Sequence, residues 1–213
     1  MKKNKLKYVF ENTEDSQLPH SHEEENKDFG SLLPTVDFEN RTIYLIGEIE
    51  EKMLTWLIPV FSMMDESGKD PIIIRLSSHG GDIYVGMAIH DMIRHAKNNV
   101  IVEVFGYAFS IAAIILQAAD LRVITENSEI MLHDGSITLS ENIPINSNTL
   151  NSHTQNLNSL KDKICSIISK RSKIPLNKTK SWLEGETFFT AKEAYDNKLV
   201  DQVWRNSAVR RFK

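Results

Sequence analysis

An α/β domain built around a largely parallel sheet is what this sequence predicts, and three observations predict it. Two continuous β-branched runs, Pro71–Leu76 and Val100–Phe105, have the texture of strands buried inside a sheet. Two segments that follow them, Tyr84–Ala96 and Ser110–Ala119, carry apolar residues at helical spacing. Strands alternating with helices need crossover connections, and crossovers join parallel neighbours. The chain has 213 residues, 41% of them hydrophobic and 25% charged, which suffices for the core of one domain.

The elements follow in order. Residues 1–38 are dominated by Lys, Glu, Asp, His and Ser, with apolar islands only at Tyr8–Phe10 and Phe29–Leu33. They read as an arm or axial loop, partly disordered and unable to pack alone. The domain proper is expected over 39–206, with a basic tail at 207–213. Thr42–Ile46 is a β-rich run ended by Gly47. Lys52–Met64 is apolar nearly all round and reads as a helix that Pro59 should kink or interrupt. After the strand Pro71–Leu76 comes Ser77-Ser78-His79-Gly80-Gly81-Asp82. The next helix sets Val85, Ala88, Ile89, Met92 and Ala96 on its apolar side. After Val100–Phe105, the segment Gly106–Phe109 reads as a turn into a buried helix, Ser110–Ala119. Arg122–Thr125 and Glu129–Leu132 are two short strands. Residues 135–156 are a polar excursion, and Leu157, Leu160, Ile164, Ile167 and Ile168 then mark one face of a helix. Phe188–Val203 closes the domain with a short helix and a strand. No internal repeat is evident.

Several function classes fall away at once. Lys and Arg number 25 against 29 Asp and Glu, a net charge of −4, which argues against a general nucleic-acid binder that needs a cationic face. The single cysteine, Cys165, allows no internal disulfide and no Cys-rich zinc site. Met1–Lys7 is basic, but no apolar stretch follows it as in a secretory signal. The longest apolar run, Ile111–Leu116 continued by Ala118–Ala119, is too short to span a bilayer. A soluble, cytoplasmic protein is expected.

Chemistry could sit at three places. Gly80-Gly81 follows a strand and opens a helix, where backbone N–H groups can approach a ligand and anions are favoured. No G-x-G-x-x-G or G-K-[ST] is present, so an oxyanion hole or a plain tight turn are the readings that remain. Ser110 stands at a strand–turn–helix junction, where a serine is either an ordinary helix cap or the nucleophile of an elbow. The wholly apolar helix behind it suits a rigid nucleophile. His133 ends the strand Glu129–Leu132. Of the other histidines, His20 and His22 lie in the arm, and His90 and His95 are five apart and share no helix face, so no metal site is suggested. Gly-Gly, Ser and His all fall at connections leaving a parallel sheet, where such folds bind ligands.

These blocks resemble the proteolytic subunits of the Clp protease family, within the wider ClpP/crotonase fold. The segments RTIYLIGEIEEKM, SSHGGDIYVGMAIHDMI, GYAFSIAA, NSEIMLH and ETFFTAKEAYDNKLVD are similar to the family's blocks and stand in the family's order over about residues 41–203. The resemblance implies repeated β-β-α units with a protruding handle helix. It implies a serine endopeptidase that cleaves unfolded polypeptides inside an oligomeric chamber, with Ser110 as nucleophile and His133 as general base. Gly81 and Ile111 would form the oxyanion hole, and Glu186 aligns where the family has an aspartate. Asp134, Asp196 and Asp201 are the other carboxylates weighed for that third place, and Asp134, directly after His133, should point to the opposite face if the strand continues. No metal and no cofactor is implied. The family's assembly is two stacked heptameric rings, a tetradecamer, served by a separate AAA+ unfoldase; Leu157–Ile168 would interlock rings and the arm would line the pore.

The chain also departs from the family pattern. His79 replaces the usual proline before the glycine pair, and Asp134-Gly135-Ser136 replaces the segment after the histidine. The 23-residue spacing from Ser110 to His133 is slightly short and resembles that of phage-encoded ClpP-like and capsid-maturation proteases, so a phage capsid-maturation protease is a variant of this reading. Two competing readings accompany the peptidase: a catalytically impaired structural subunit of a mixed ring, and a crotonase-like acyl-CoA enzyme with no need of a Ser–His pair.

Overall fold

The computed structural model describes residues 35–136 and 146–204. The expected arm lies outside the described residues except for its last four positions, and the basic tail lies wholly outside them. Part of the polar excursion, residues 137–145, lies outside them as well.

Eight strands form one sheet: β1 Val36–Asp37, β2 Thr42–Ile49, β3 Ile72–Gly81, β4 Val100–Phe109, β5 Leu121–Thr125, β6 Glu129–Leu132, β7 Thr187–Thr190 and β8 Gln202–Trp204. The main order is β1-β2-β3-β4-β5-β8, with β6 beside β4 and β7 beside β6. Only the β1–β2 and β6–β7 pairs are antiparallel among the described strands. The parallel sheet expected from the alternation of strands and helices is therefore present.

Among the described residues six helices accompany it: α1 Glu51–Glu66, α2 Ile83–Arg94, α3 Ile111–Leu116, α4 Ser147–Ser172, α5 Leu176–Trp182 and α6 Ala191–Asp196. One continuous core joins Leu57, Phe61 and Met64 of α1 and Ile89 and Ile93 of α2 to Ile43, Leu45, Ile74, Leu76, Val102 and Val104 of the sheet. In β3 burial alternates residue by residue, from Ile72 to Gly80, so one side of the sheet faces this core. The other side is more open, with Ile46 64% exposed and Arg75 lying over Tyr44 and Phe105. All six residues of α3 are buried, as its apolar sequence requires.

Three local expectations change. Gly106–Phe109 is not a turn but the continuation of β4. The strand pairs with β5 as far as Val104 and with β6 from Tyr107, and Gly106, at φ 77°, lies at the changeover. Helix α1 runs through Pro59 without a break, because four of its side chains are anchored in the core on both sides of the missing N–H. The polar excursion ends earlier than its composition suggests. Asn146 accepts from the Thr149 N–H and starts α4 at Ser147, ten residues before the apolar stripe. From Ser147 to Ser159 the helix has no buried residue, so this half projects from the core, and burial begins only at Leu160.

Candidate active site

The end of β3 is shaped by close backbone approach. Gly80 adopts φ 101°, and a side chain there would meet the Ser110 Cβ at 2.8 Å and the Phe109 carbonyl at 3.0 Å. Gly81 adopts φ 150°, and a Cβ would lie 2.3 Å from the Ile49 carbonyl oxygen. Only glycine fits either position. The Gly80 N–H donates to Ser78 Oγ at 3.0 Å, which fixes the loop from inside. Asp82 then caps α2, its carboxylate accepting from the Tyr84 and Val85 N–H groups. The short polar run between a buried strand and a helix thus becomes a rigid corner.

Ser110 occupies the next corner, between β4 and α3. Its backbone has φ 55° and ψ −126°, a region that L-residues avoid, and its side chain makes no cap bond to the helix. The ordinary-cap reading is thereby set aside. Its N–H donates to the Met131 carbonyl of β6 at 2.9 Å, and its own carbonyl accepts from Ala113 at 3.0 Å. A residue pinned on both sides can hold a strained conformation. At the end of β6, His133 Nε2 and Ser110 Oγ are 2.8 Å apart, a full hydrogen bond. The strand that pins the serine backbone therefore also delivers the imidazole.

Around this pair lies a cleft of about 460 Å³. Gly81 and Ile111 line it beside Ser110 and His133, as do His79, Ile83 and Tyr84. Its far wall is apolar, with Leu157, Leu160 and Ile164 from α4. A Cβ on Gly86 would stand 2.2 Å from Ile111 Cγ1, so that glycine lets α2 and α3 close on one another beneath the cleft.

The carboxylates sort themselves by what they bind. Asp134 accepts from Lys161 Nζ at 2.7 Å. Asp201 is engaged by Arg122 through Nε at 3.0 Å and Nη2 at 2.7 Å, and Asp196 by Lys192. Glu186 is exposed and makes no hydrogen bond or ion pair among the described residues. The antiparallel register of β6 and β7 ends at the pair Leu132–Thr187, and His133 and Glu186 are the next residues of the two chain segments. No partner for His133 Nδ1 is found among the described residues. No group of three or more His, Cys, Asp or Glu that could hold a metal occurs among them either. None of their helices is long and apolar enough to cross a membrane.

Two contributors to this site carry weak sequence signals. The Asp82 cap was readable, since an aspartate stands just before an apolar-periodic segment. The contact between Lys161 and Asp134 spans 27 residues and leaves no local trace.

The profile of the Clp protease family matches residues 24–207. The ATP-dependent Clp protease proteolytic subunit of Deinococcus radiodurans is 28% identical over 168 residues, spanning 78% of this chain and 80% of that protein. The solved structure of a ClpP1 mutant from Listeria monocytogenes superimposes with a TM-score of 0.72 at 22% identity, covering 80% of this chain and 94% of that one. At that identity the structural likeness establishes the mixed α/β fold.

Proposed function

The chain belongs to the Clp protease family and is a serine-type endopeptidase, and from this premise we propose that Ser110 is its nucleophile and His133 its general base. The observation that carries the proposal is the 2.8 Å bond between Ser110 Oγ and His133 Nε2. As Oγ attacks a peptide carbonyl carbon, its proton passes to Nε2 and the carbonyl oxygen becomes an oxyanion. The N–H groups of Gly81 and Ile111, both on the cleft wall, hold that charge. His133 then protonates the leaving amine as the C–N bond breaks. Water attacks the acyl-serine, gives its proton to His133, and releases the acid as Ser110 is reprotonated.

Glu186 is the acid of this scheme, orienting the imidazole through Nδ1. It is supported by the β6–β7 register and by elimination, because Asp134, Asp196 and Asp201 are all bound to cations. Hydrogen bonds of catalytic groups are often loose before substrate binds and tighten in the complex. The substrate is an unfolded polypeptide, cut within an oligomeric chamber of stacked rings and fed by an AAA+ partner. The projecting half of α4 and the exposed apolar residues Ile58 and Met63 of α1 support such an assembly.

A fluorophosphonate probe tests the scheme. Wild-type protein should be labelled on Ser110, and Ser110→Ala should not be labelled at all. Glu186→Gln should slow peptide hydrolysis by up to about 10⁴-fold while leaving assembly intact. The unpartnered Nδ1 also favours a second reading, a subunit that assembles without cutting. An unlabelled wild type would establish it.

A further inference from the structure

Strand β6 stops at Leu132, the last residue paired with β7, so His133 stands one step beyond the sheet. Residues 133–136 belong to no helix or strand, and Gly135 and Ser136 offer little side-chain restraint. The first fixed point after the strand is Asp134, through its 2.7 Å bond from Lys161 Nζ. Lys161 lies on α4 between Leu160 and Ile164, both buried in the core and both on the cleft wall, and its own side chain is only 26% exposed. It is thus a polar tie mounted on a rigid element. Asn156, on the same helix, donates to the Tyr84 hydroxyl at 2.7 Å, and Tyr84 stands in the first turn of the helix that follows Gly80-Gly81. Helix α4 is therefore fastened to both banks of the cleft.

We infer that Lys161 is a positioning residue for hydrolysis: by holding Asp134 it fixes the main chain at His133, and with it the distance and angle of the imidazole to Ser110. The inference rests on the reading of Ser110 and His133 as the hydrolytic pair. A displacement of about 1 Å in such a pair can cost about a hundredfold in rate. The bond to Asp134 raises the Lys161 pKa above that of an ordinary lysine, so the tie stays charged at neutral pH. Because the Asp134 end of the pair is 47% exposed, the ion pair adds little to global stability, and its loss should register in turnover rather than in melting.

The full-length assembled protein is assayed with a fluorogenic peptide and with the fluorophosphonate. Lys161→Met should lower kcat and the labelling rate about tenfold, with KM changed less than about twofold and melting temperature unchanged. Lys161→Arg should restore most of the rate. The exchange Asp134→Lys with Lys161→Asp should also recover it; continued inactivity would instead make the Asp134 carboxylate itself the needed group and overturn the inference. Should Lys161→Met disturb assembly, Asp134→Ala removes the same bond from outside the helix and should show the same loss of kcat. Wild-type kcat and labelling in both single variants would overturn the role of Lys161. An unlabelled wild type would mark the failure of the peptidase reading itself.

Discussion

Ser110 holds a positive φ with a Cβ attached, a conformation that costs on the order of 1–3 kcal/mol when a non-glycine residue is forced into it. The hydroxyl of this corner meets His133, and Ile111, the next residue, lines the same cleft. The strain makes a measurable prediction. Ser110→Gly and Ser110→Ala both lack the hydroxyl, so they differ chiefly in backbone strain. The glycine variant should be more stable by about 1 kcal/mol in denaturant unfolding, although glycine usually weakens a fold through unfolded-state entropy. Equal stabilities would mean that the corner is not strained. At this scale the sequence was informative only in combination: Ser110, His133 and the glycine pair each admit an ordinary reading alone, and their joint place at the ends of strands is what singles them out. The acid proposed for His133 Nδ1 was less legible. A carboxylate that meets an imidazole across two strands depends on register, and register is not written in the residues on either side of Glu186.

Elements are tied to one another by a few buried polar contacts. Arg122 of β5 is 2% exposed, and it donates to Asp201, the residue before β8, and to Gln117 at the C-terminal end of α3. Burial pushes the Asp201 carboxyl up, but the bonds from Arg122 outweigh it and leave the pKa below the ordinary value. A carboxylate with a lowered folded pKa contributes stability above its unfolded value, about 3.9, and loses that contribution as pH falls through the folded one. Asp201→Ala should therefore destabilise the protein by about 3 kcal/mol at neutral pH, since it leaves a buried guanidinium unpaired. The gap to wild type should close below about pH 4, as urea titrations at stepped pH would show. Much of the element order was readable because its apolar runs keep one period from end to end. The exceptions have local causes. Gly106–Phe109 looked like a turn because Gly106 interrupts the apolar run where β4 changes partner from β5 to β6, and α4 seemed to begin late because its first half starts on a cap rather than on buried apolar side chains.

Over the whole described molecule, the distribution of apolar surface is uneven. One side of the sheet is sealed by helices, whereas the projecting half of α4 keeps Leu150 47% exposed with no intrachain packing to explain it. If that half meets another copy in the assembly, Leu150→Asp should leave the fold intact, within about 0.5 kcal/mol of wild type. The same variant should move the sedimenting species to smaller mass. Unchanged sedimentation would remove α4 from the assembly surface. Composition alone could not disclose this, because a solvated helix face and an intersubunit face carry similar residues when each is read within one chain. The short strand β6 has a different consequence. Its Met131 carbonyl grips the serine corner and its end carries the histidine, so any fluctuation that peels β6 away disarms both partners together. On the proposed reading of that pair, a loosened copy is a silent one: damage to this strand produces no stray, half-working hydrolase, and the fraction of active centres counts the copies whose β6 is seated between β4 and β7.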